Sequence, residues 1–376
     1  MIDTSKVLSH CLSKVTKTGS RIQGRIPYRT FDGRFDDWTD KDIAWWTNGF
    51  WPGLLWLAHG QTKDDRLATW AKESETHLDR ALFDFFGLHH DVGFMWHISS
   101  VARYKLEHNQ DSLRRGMMAA SVLASRFNLA GRYIRAWNNW DIPNKEKGVQ
   151  VKWAIIDCLM NLPLLYWASE ESKDPRFSQI AIAHTETVLK NFIHPDGSSR
   201  HIVEFDPVTG AYVRCHFGQG FADDSAWSRG CSWLVHGMTL GAKYTGRADF
   251  LAAAEHAARF FIENLPEDQV PWSDFKAPAK DQFKDSSAAA IAASGILTLA
   301  ELVPASRKAY YVDAARRMLA SLATNYLAPE SDEALLQHGS VMYHVTDPKD
   351  KDTSLIYGDY YFVEALIKLQ GGQGLF

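Results

Sequence analysis

A chain of 376 residues with a net charge of −4, 45% hydrophobic and 23% charged residues can bury a large core and has the balance of an ordinary globular protein. It has no basic run and no apolar stretch long enough to span a bilayer, which argues against nucleic acid and membrane as partners. The start, Met1-Ile2-Asp3-Thr4-Ser5-Lys6, lacks the apolar segment of a signal peptide, and Cys11, Cys158, Cys215 and Cys231 have no metal-site spacing, so the expectation is a cytoplasmic protein with reduced thiols.

In chain order, one unit recurs: an apolar segment, a polar turn, then an amphipathic segment. Residues 5–15 form an amphipathic segment with no apolar partner before it. The first apolar segment is Trp46-Thr47-Asn48-Gly49-Phe50-Trp51-Pro52-Gly53-Leu54-Leu55-Trp56-Leu57, followed by 64–82. Residues 91–104 and 112–127 make a second pair, 155–167 and 175–192 a third, 229–244 and 248–262 a fourth, 286–302 and 308–322 a fifth. A last apolar segment starts at Gly358-Asp359-Tyr360-Tyr361 and ends near 369, and residues 5–15 supply its partner. The amphipathic members show helical spacing, as in Phe250, Ala253, Ala254, Ala257, Ala258 and Phe261. The apolar members are hydrophobic on nearly all sides, which marks helices buried all round. Six such hairpins predict an all-α fold, an (α/α)6 barrel with six inner and six outer helices. The uneven spacing of the inner helices argues against an open solenoid.

The extra length lies in the links before the inner helices. Residues 131–148 and 196–224 are polar, turn-rich and aromatic. Within the second, 198–204 and 211–216 flank Asp206-Pro207-Val208-Thr209-Gly210 and read as a β-hairpin. Links gathered at one end of the barrel would place the site there. No Pro- or Ser-rich linker divides the chain, so 1–376 is expected to be a single catalytic domain, with Gly371-Gly372-Gln373-Gly374 as a loose tail.

Two aspartates stand out. Asp91 in His89-His90-Asp91-Val92-Gly93-Phe94 and Asp157 in Ala154-Ile155-Ile156-Asp157-Cys158-Leu159-Met160-Asn161-Leu162-Pro163 are carboxylates set in runs that otherwise read as helix interior. Burial is costly for a carboxylate unless it is paired, hydrogen-bonded or protonated, and a protonated one suits a general acid. Two carboxyl groups in one cleft are the usual equipment for cutting a glycosidic bond. Fourteen Trp, thirteen Tyr and twenty Phe exceed what a core requires. They gather where inner helices begin: Trp46 and Trp51, Trp96, Trp137 and Trp140, Trp153, Trp227 and Trp233, Tyr357, Tyr360 and Tyr361. Indole rings stack on the C–H faces of sugars. Arg229, between Trp227 and Trp233, would either clamp a substrate carboxylate or neutralise an aspartate, and the sequence leaves both open. No His-Glu-x-x-His, Cys-x-x-Cys, nucleophile elbow or phosphate loop is present, so neither a metal nor another cofactor is expected.

These residues resemble the unsaturated glucuronyl hydrolases of glycoside hydrolase family 88. The likeness runs roughly from residue 35 to 370. It is most specific in Trp46-Thr47-Asn48-Gly49-Phe50-Trp51, His89-His90-Asp91-Val92-Gly93-Phe94, Ile155-Ile156-Asp157-Cys158, Ser225-Ala226-Trp227-Ser228-Arg229-Gly230 and Gly358-Asp359-Tyr360-Tyr361. The resemblance implies an (α/α)6 barrel acting on oligosaccharides that polysaccharide lyases leave with a 4,5-unsaturated uronic acid at the non-reducing end. It also implies hydration of the C4=C5 enol ether, with Asp157 as general acid/base and Asp91 as the second essential carboxylate. His201, Gln219, Trp227, Arg229 and Trp233 match positions lining the sugar subsite, and so do the aromatic Trp46 and Trp137; His90, beside Asp91, joins these candidate contacts. The chain departs from the family pattern at Cys231-Ser232, where Gln-Ala is expected, and at Arg200, where Tyr is expected. It also lacks a Ser-x-x-Ser-x-Lys near the C-terminus, a pattern linked to sulfated glycosaminoglycan. These departures leave the leaving sugar open. The alternative is an unsaturated rhamnogalacturonyl hydrolase with the same fold and paired Asp. A sugar epimerase would use paired histidines instead, and a non-enzymatic scaffold would leave both aspartates without purpose. A monomer or weak homodimer is expected.

Overall fold

The computed structural model describes residues 3–138 and 150–376. Trp140 and most of the 131–148 link therefore lie outside the described residues. Helices follow one another in the expected order: α1 (Thr4–Ile22), α2 (Phe50–Thr62), α3 (Asp65–Asp84), α4 (Val92–Trp96), α5 (Ala102–Glu107), α6 (Gln110–Ser125), α7 (Leu162–Ser172), α8 (Pro175–Asn191), α9 (Ser228–Thr245), α10 (Ala248–Glu263), α11 (Ser286–Leu302), α12 (Ala305–Asn325) and α13 (Ile356–Leu369). A π-helical stretch, His97–Val101, joins α4 to α5 into one inner element.

Burial separates two rings. Every residue from Ser228 to Ala242 in α9 and from Ser286 to Ala300 in α11 is buried. In the amphipathic α10 only one face is, through Phe250, Ala253, Ala254, Ala257, Ala258 and Phe261 among others. The inner elements close on themselves: α2 packs on the α4–α5 element, α4 on α7, α7 on α9, α9 on α11, α11 on α13 and α13 on α2. Outside them, α3 covers α2, α6 covers α4, α8 covers α7, α10 covers α9, α12 covers α11, and α1 covers α13 and α2. This is the (α/α)6 barrel that the periodicity predicts.

Local chemistry sets the helix ends. Asp3, Asp64, Asn109, Asp174 and Asp285 each accept backbone N–H bonds at the first turn of α1, α3, α6, α8 and α11. α9 ends at Gly246, which takes the left-handed conformation favoured there. The inner ring is packed tightly where α2 begins. A Cβ on Gly49 would stand 2.1 Å from the carbonyl oxygen of Phe94 and 2.5 Å from that of Met95. Those are backbone atoms, so they cannot swing aside.

Four short strands form two small hairpins: β1 (Thr30–Phe31) with β2 (Arg34–Phe35), and β3 (Phe127–Asn128) with β4 (Tyr133–Ile134). The predicted hairpin in the 196–224 link is present as β6 (Ile202–Phe205) and β7 (Tyr212–His216). A strand that periodicity does not signal, β5 (Trp153–Ile155), adds to β6 antiparallel, pairing Ile155 with Ile202. Three residues are too few to show an alternation.

Two expectations need correction. Asp91 and Asp157 do not lie within α-helices. Asp91 sits immediately before α4, and Asp157 lies in a 3-10 turn, Ile156–Met160, between β5 and α7. Nor is 371–374 a loose tail. Gly372 N–H donates to Ile367 O at 2.9 Å and Leu375 N–H to Glu364 Oε1 at 3.0 Å, while Phe376 is buried and stacked between His97 and Tyr361. An apolar ring has more to gain from packing on His97 and Tyr361 than from water, which composition around three glycines conceals.

Gly49→Ala is expected to lower unfolding stability by about 3 kcal/mol, the upper part of the overpacking range, read as a reduced urea midpoint at an unchanged slope. A wild-type midpoint would show that α2 and α4 are not in contact there.

Candidate active site

The N-terminal ends of the inner helices converge on Asp91 and Asp157. Asp91 is brought in by the turn before α4, where His90 N–H donates to Ala136 O at 3.2 Å. Asp157 follows β5, and Ile156 N–H donates to His201 O at 3.0 Å, so the three-stranded sheet sets Asp157 beside His201. His201 Nε2 lies 3.5 Å from Asp157 Oδ2.

Asp91 is buried, and its Oδ1 accepts from Asn161 Nδ2 at 3.0 Å. Its Oδ2 is 3.4 Å from His89 Nδ1 and 3.3 Å from His90 Nε2. Burial pushes the Asp91 carboxyl well above the usual carboxylate range, and the charge of Asp157 adds to the rise. The Asn161 hydrogen bond and the Arg126 cation oppose it. Burial also lowers the His89 imidazole to about 3 and His90 well below its ordinary value, with Arg126 contributing to both. Both rings are therefore neutral at pH 7, and their approach to Asp91 is not an ion pair. His89, His90 and Asp91 offer donor atoms within 4.8 Å of one another. Two facts weigh against a cation there: His89 Nδ1 already accepts the Asp91 amide N–H at 3.3 Å, and Arg126 places positive charge nearby.

Asp157 differs in kind. Its side chain keeps 15% exposure. Among the described residues, its Oδ2 is a buried oxygen with no hydrogen-bond partner. Such an atom is costly to leave unpaired and is the kind of group a substrate or water satisfies. His201 is fixed toward it. Gln219 N–H donates to His201 Nδ1 at 2.8 Å, so that nitrogen is the acceptor and the proton resides on Nε2, facing Asp157. The close approach needs Gly218, whose φ is +55° and whose added Cβ would stand 2.1 Å from His201 Nδ1. The His201 ring lies 4.4 Å from that of Trp227.

Arg229 resolves the alternatives left by the sequence in favour of an aspartate. It is almost fully buried, with Nη1 donating to Asp285 Oδ2 at 2.7 Å and to Ser340 O, and Nη2 donating to Gln219 Oε1 at 2.8 Å and to Val341 O at 2.5 Å. Both faces are covered, by Trp227 at 4.4 Å and Tyr357 at 5.4 Å. Its four Nη hydrogens are committed, so it has no fork left for a substrate carboxylate. Its work is on Gln219: because Oε1 accepts from Arg229, the Gln219 Nε2 donor is turned the other way.

The candidate aromatic contacts divide by exposure. Trp46, packed on Phe94 at 5.5 Å and Tyr357 at 5.0 Å, and Trp137, at 5.9 Å from Trp153, are half-buried and keep open surface. Trp227 and Trp233 do not. Trp233 is fully buried against Phe94 at 5.2 Å and Tyr361 at 5.6 Å, and so lies beneath the site and not on its surface. Buried His90 backs Asp91 in the same way. Sequence reasoning missed Asp285, the partner of Arg229, and Asn161, the partner of Asp91. Asn161 stands four residues after Asp157, one helical turn, which is a signal of a shared face; Asp285 carries none, since its use depends on a contact 56 residues away.

With the geometry established, the sequence model of Glycosyl Hydrolase Family 88 matches residues 19–376. The chain is 36% identical over 338 residues to an unsaturated glucuronyl hydrolase of Bacillus sp. strain GL1, covering 88% of each. It is 35% identical to an unsaturated chondroitin disaccharide hydrolase of Streptococcus pyogenes serotype M1, covering 87% of this chain and 82% of that one. The solved structure of the unsaturated glucuronyl hydrolase of Bacillus sp. GL1, responsible for the degradation of glycosaminoglycan, superposes with a TM-score of 0.89 at 32% identity, over 98% of this chain and 97% of that one.

Arg229→Ala is expected to cost about 3–5 kcal/mol of unfolding stability, the usual result of stranding one partner of a buried ion pair, with Asp285 left uncompensated. Unchanged stability with only a raised KM would mean that Arg229 faces substrate.

Proposed function

The chain belongs to glycosyl hydrolase family 88 and is a glycosidase of that family, and from that premise we propose that it releases 4,5-unsaturated uronic acid from the non-reducing end of lyase-generated oligosaccharides, with Asp157 and Asp91 as its catalytic pair. The observation that carries this reading is the contrast between the two carboxyl groups. Asp91 is buried and braced, whereas Asp157 presents an Oδ2 that has no hydrogen-bond partner among the described residues.

The chemistry follows from the enol ether. Asp157 in its acid form transfers a proton to C4. The C4=C5 electron pair forms the new C–H bond, and positive charge develops at C5, shared with the ring oxygen. Water adds at C5 and returns its proton to Asp157. The resulting hemiketal opens by breaking the C5–ring-oxygen bond, which gives the C5 ketone and leaves C1 as a hemiacetal. The hemiacetal collapses to an aldehyde, its hydroxyl proton passing to the leaving oxygen as the C1–O bond breaks and the shortened sugar departs. One carboxyl group thus serves as acid and then base. No protein nucleophile need stand beneath C1, unlike the two standard arrangements.

Asp91 contributes as a carboxylate that accepts ring hydroxyls and stabilises the developing positive charge. In the free site, burial and the neighbouring Asp157 favour a protonated Asp91. Hydroxyl donors from a bound sugar favour its ionised form, which leaves the proton available for Asp157. His201 Nε2 points at Asp157, and Gln219, whose Oε1 is held by Arg229, turns its Nε2 donor the other way. Trp46 and Trp137 supply the open aromatic faces. With Arg229 committed, neutral donors such as Gln219 meet the uronate carboxylate.

The chain acts as one catalytic domain. Its four cysteines are unpaired, in keeping with a reducing cytoplasm. Among the described residues no helix is long and apolar enough to cross a membrane.

Incubation with lyase-made unsaturated disaccharides should abolish the ultraviolet absorbance of the conjugated double bond. Asp157→Asn should slow that loss by roughly a hundredfold or more, the scale of a lost general acid, with folding preserved. Asp91→Asn should also depress kcat. A near-wild-type rate for Asp157→Asn removes it from the chemistry, and a change in KM alone for Asp91→Asn reduces it to a binding residue.

A further inference from the structure

We infer that Asn161 is a positioning residue for the pair, a single buried amide that holds the Asp91 side chain and the Asp157 main chain in register across the site; the inference rests on the catalytic assignment above.

Asn161 closes the 3-10 turn that carries Asp157 and precedes α7. It is fully buried. Its Oδ1 accepts the Phe94 backbone N–H at 2.8 Å, and its Nδ2 donates to Asp91 Oδ1 at 3.0 Å and to Asp157 O at 3.3 Å. All the polar capacity of the amide group facing these segments is therefore used between two stretches that lie 67–70 residues apart in sequence.

The orientation of the amide is not arbitrary. A backbone N–H can only donate, so the atom facing Phe94 must be the oxygen. The nitrogen then faces Asp91 and must donate to it. The packing around it is tight: a Cβ on Gly93 would stand 2.4 Å from Asn161 Cα and 2.6 Å from its Oδ1. The turn before α4 thus lies directly on Asn161, with no slack for Asp91 to settle elsewhere.

Two consequences follow. Asp91 Oδ1 is committed to the amide, which leaves Oδ2, on the side of His89 and His90, as the oxygen with remaining acceptor capacity. A donor to the carboxylate also favours its ionised form, against the burial and the Asp157 charge that favour the neutral one. The sign is fixed. Removing the donor raises the Asp91 titration point, so an activity that needs ionised Asp91 loses its acidic limb at a higher pH.

The test compares Asn161→Ala and Asn161→Asp with wild type in two readouts. The first is the pH profile of kcat/KM on an unsaturated disaccharide. The second is the titration of the Asp91 carboxyl carbon in 13C-aspartate-labelled protein, identified by its loss in Asp91→Asn, which needs no turnover. Both variants should move the acidic limb and the carbon titration upward by a pH unit or more. They should lower kcat at least tenfold, with KM changed less than threefold. Asn161→Asp keeps the shape and should stay folded, so it removes the N–H donor without a packing change, and the charge it adds acts on Asp91 in the same direction as the loss of the donor. Wild-type titration and kcat in a folded Asn161→Asp protein would overturn the inference. If wild type itself leaves the disaccharide intact, the proposed function fails, while the carbon titration still decides whether Asn161 governs Asp91.

Discussion

A carboxylate buried at Asp91 is the constraint on which the rest of the site depends. Burial alone favours its neutral form, and Asp157 nearby adds repulsion. The hydrogen bond from Asn161 and the Arg126 cation act against both. Burial is the largest of these influences and leaves the Asp91 carboxyl well above the usual carboxylate range. Arg126 also builds the wall around it, donating to Ala136 O, Trp137 O and Asn138 Oδ1, which connects the electrostatics of Asp91 to the placement of Trp137. A helical barrel makes such a site available, because the inner helices begin together at one end and each contributes the residues of its first turn.

The opposite carboxyl group is governed by a different device. Asp157 is positioned by backbone: β5 pairs with β6, and Ile156 hydrogen-bonds to the residue that carries the facing imidazole. The chain from His201 through Gln219 to Arg229 and Asp285 then forms one connected network. Arg229 and Asp285 are the deepest members, His201 is also buried, and Gln219 is half-buried. The most prominent cation in the sequence motif thus engages Asp285 and Gln219. Such networks are worth more intact than their separate bonds suggest, since each member lost leaves a buried partner unsatisfied.

The legibility of these features follows their range. Twelve helical segments were readable because burial on all sides and burial on one face produce different residue patterns, as in α11 against α10. The β6–β7 hairpin was readable from Asp206 and Gly210 between two short runs. Strand β5 was not, at three residues. The aspartates stood out because a charge within an apolar run is rare, yet the same run misled about their setting: Asp91 precedes its helix and Asp157 occupies a 3-10 turn. Trp227 and Trp233 looked equivalent to Trp46 in sequence, and only packing shows that they are buried while Trp46 keeps an open face. Partners such as Asp285 for Arg229 depend on contacts across the fold, which no local pattern encodes.

The central claim is that the acid protonates a carbon of the uronate and water adds beside it, with C1 left unattacked. The most direct measurement is turnover of an unsaturated disaccharide in heavy water, with the keto-acid product read by proton NMR. Deuterium at the former C4, together with no cleavage of the saturated glucuronide, is the predicted result. A product without deuterium at that carbon, or efficient cleavage of the saturated glycoside, would contradict the account.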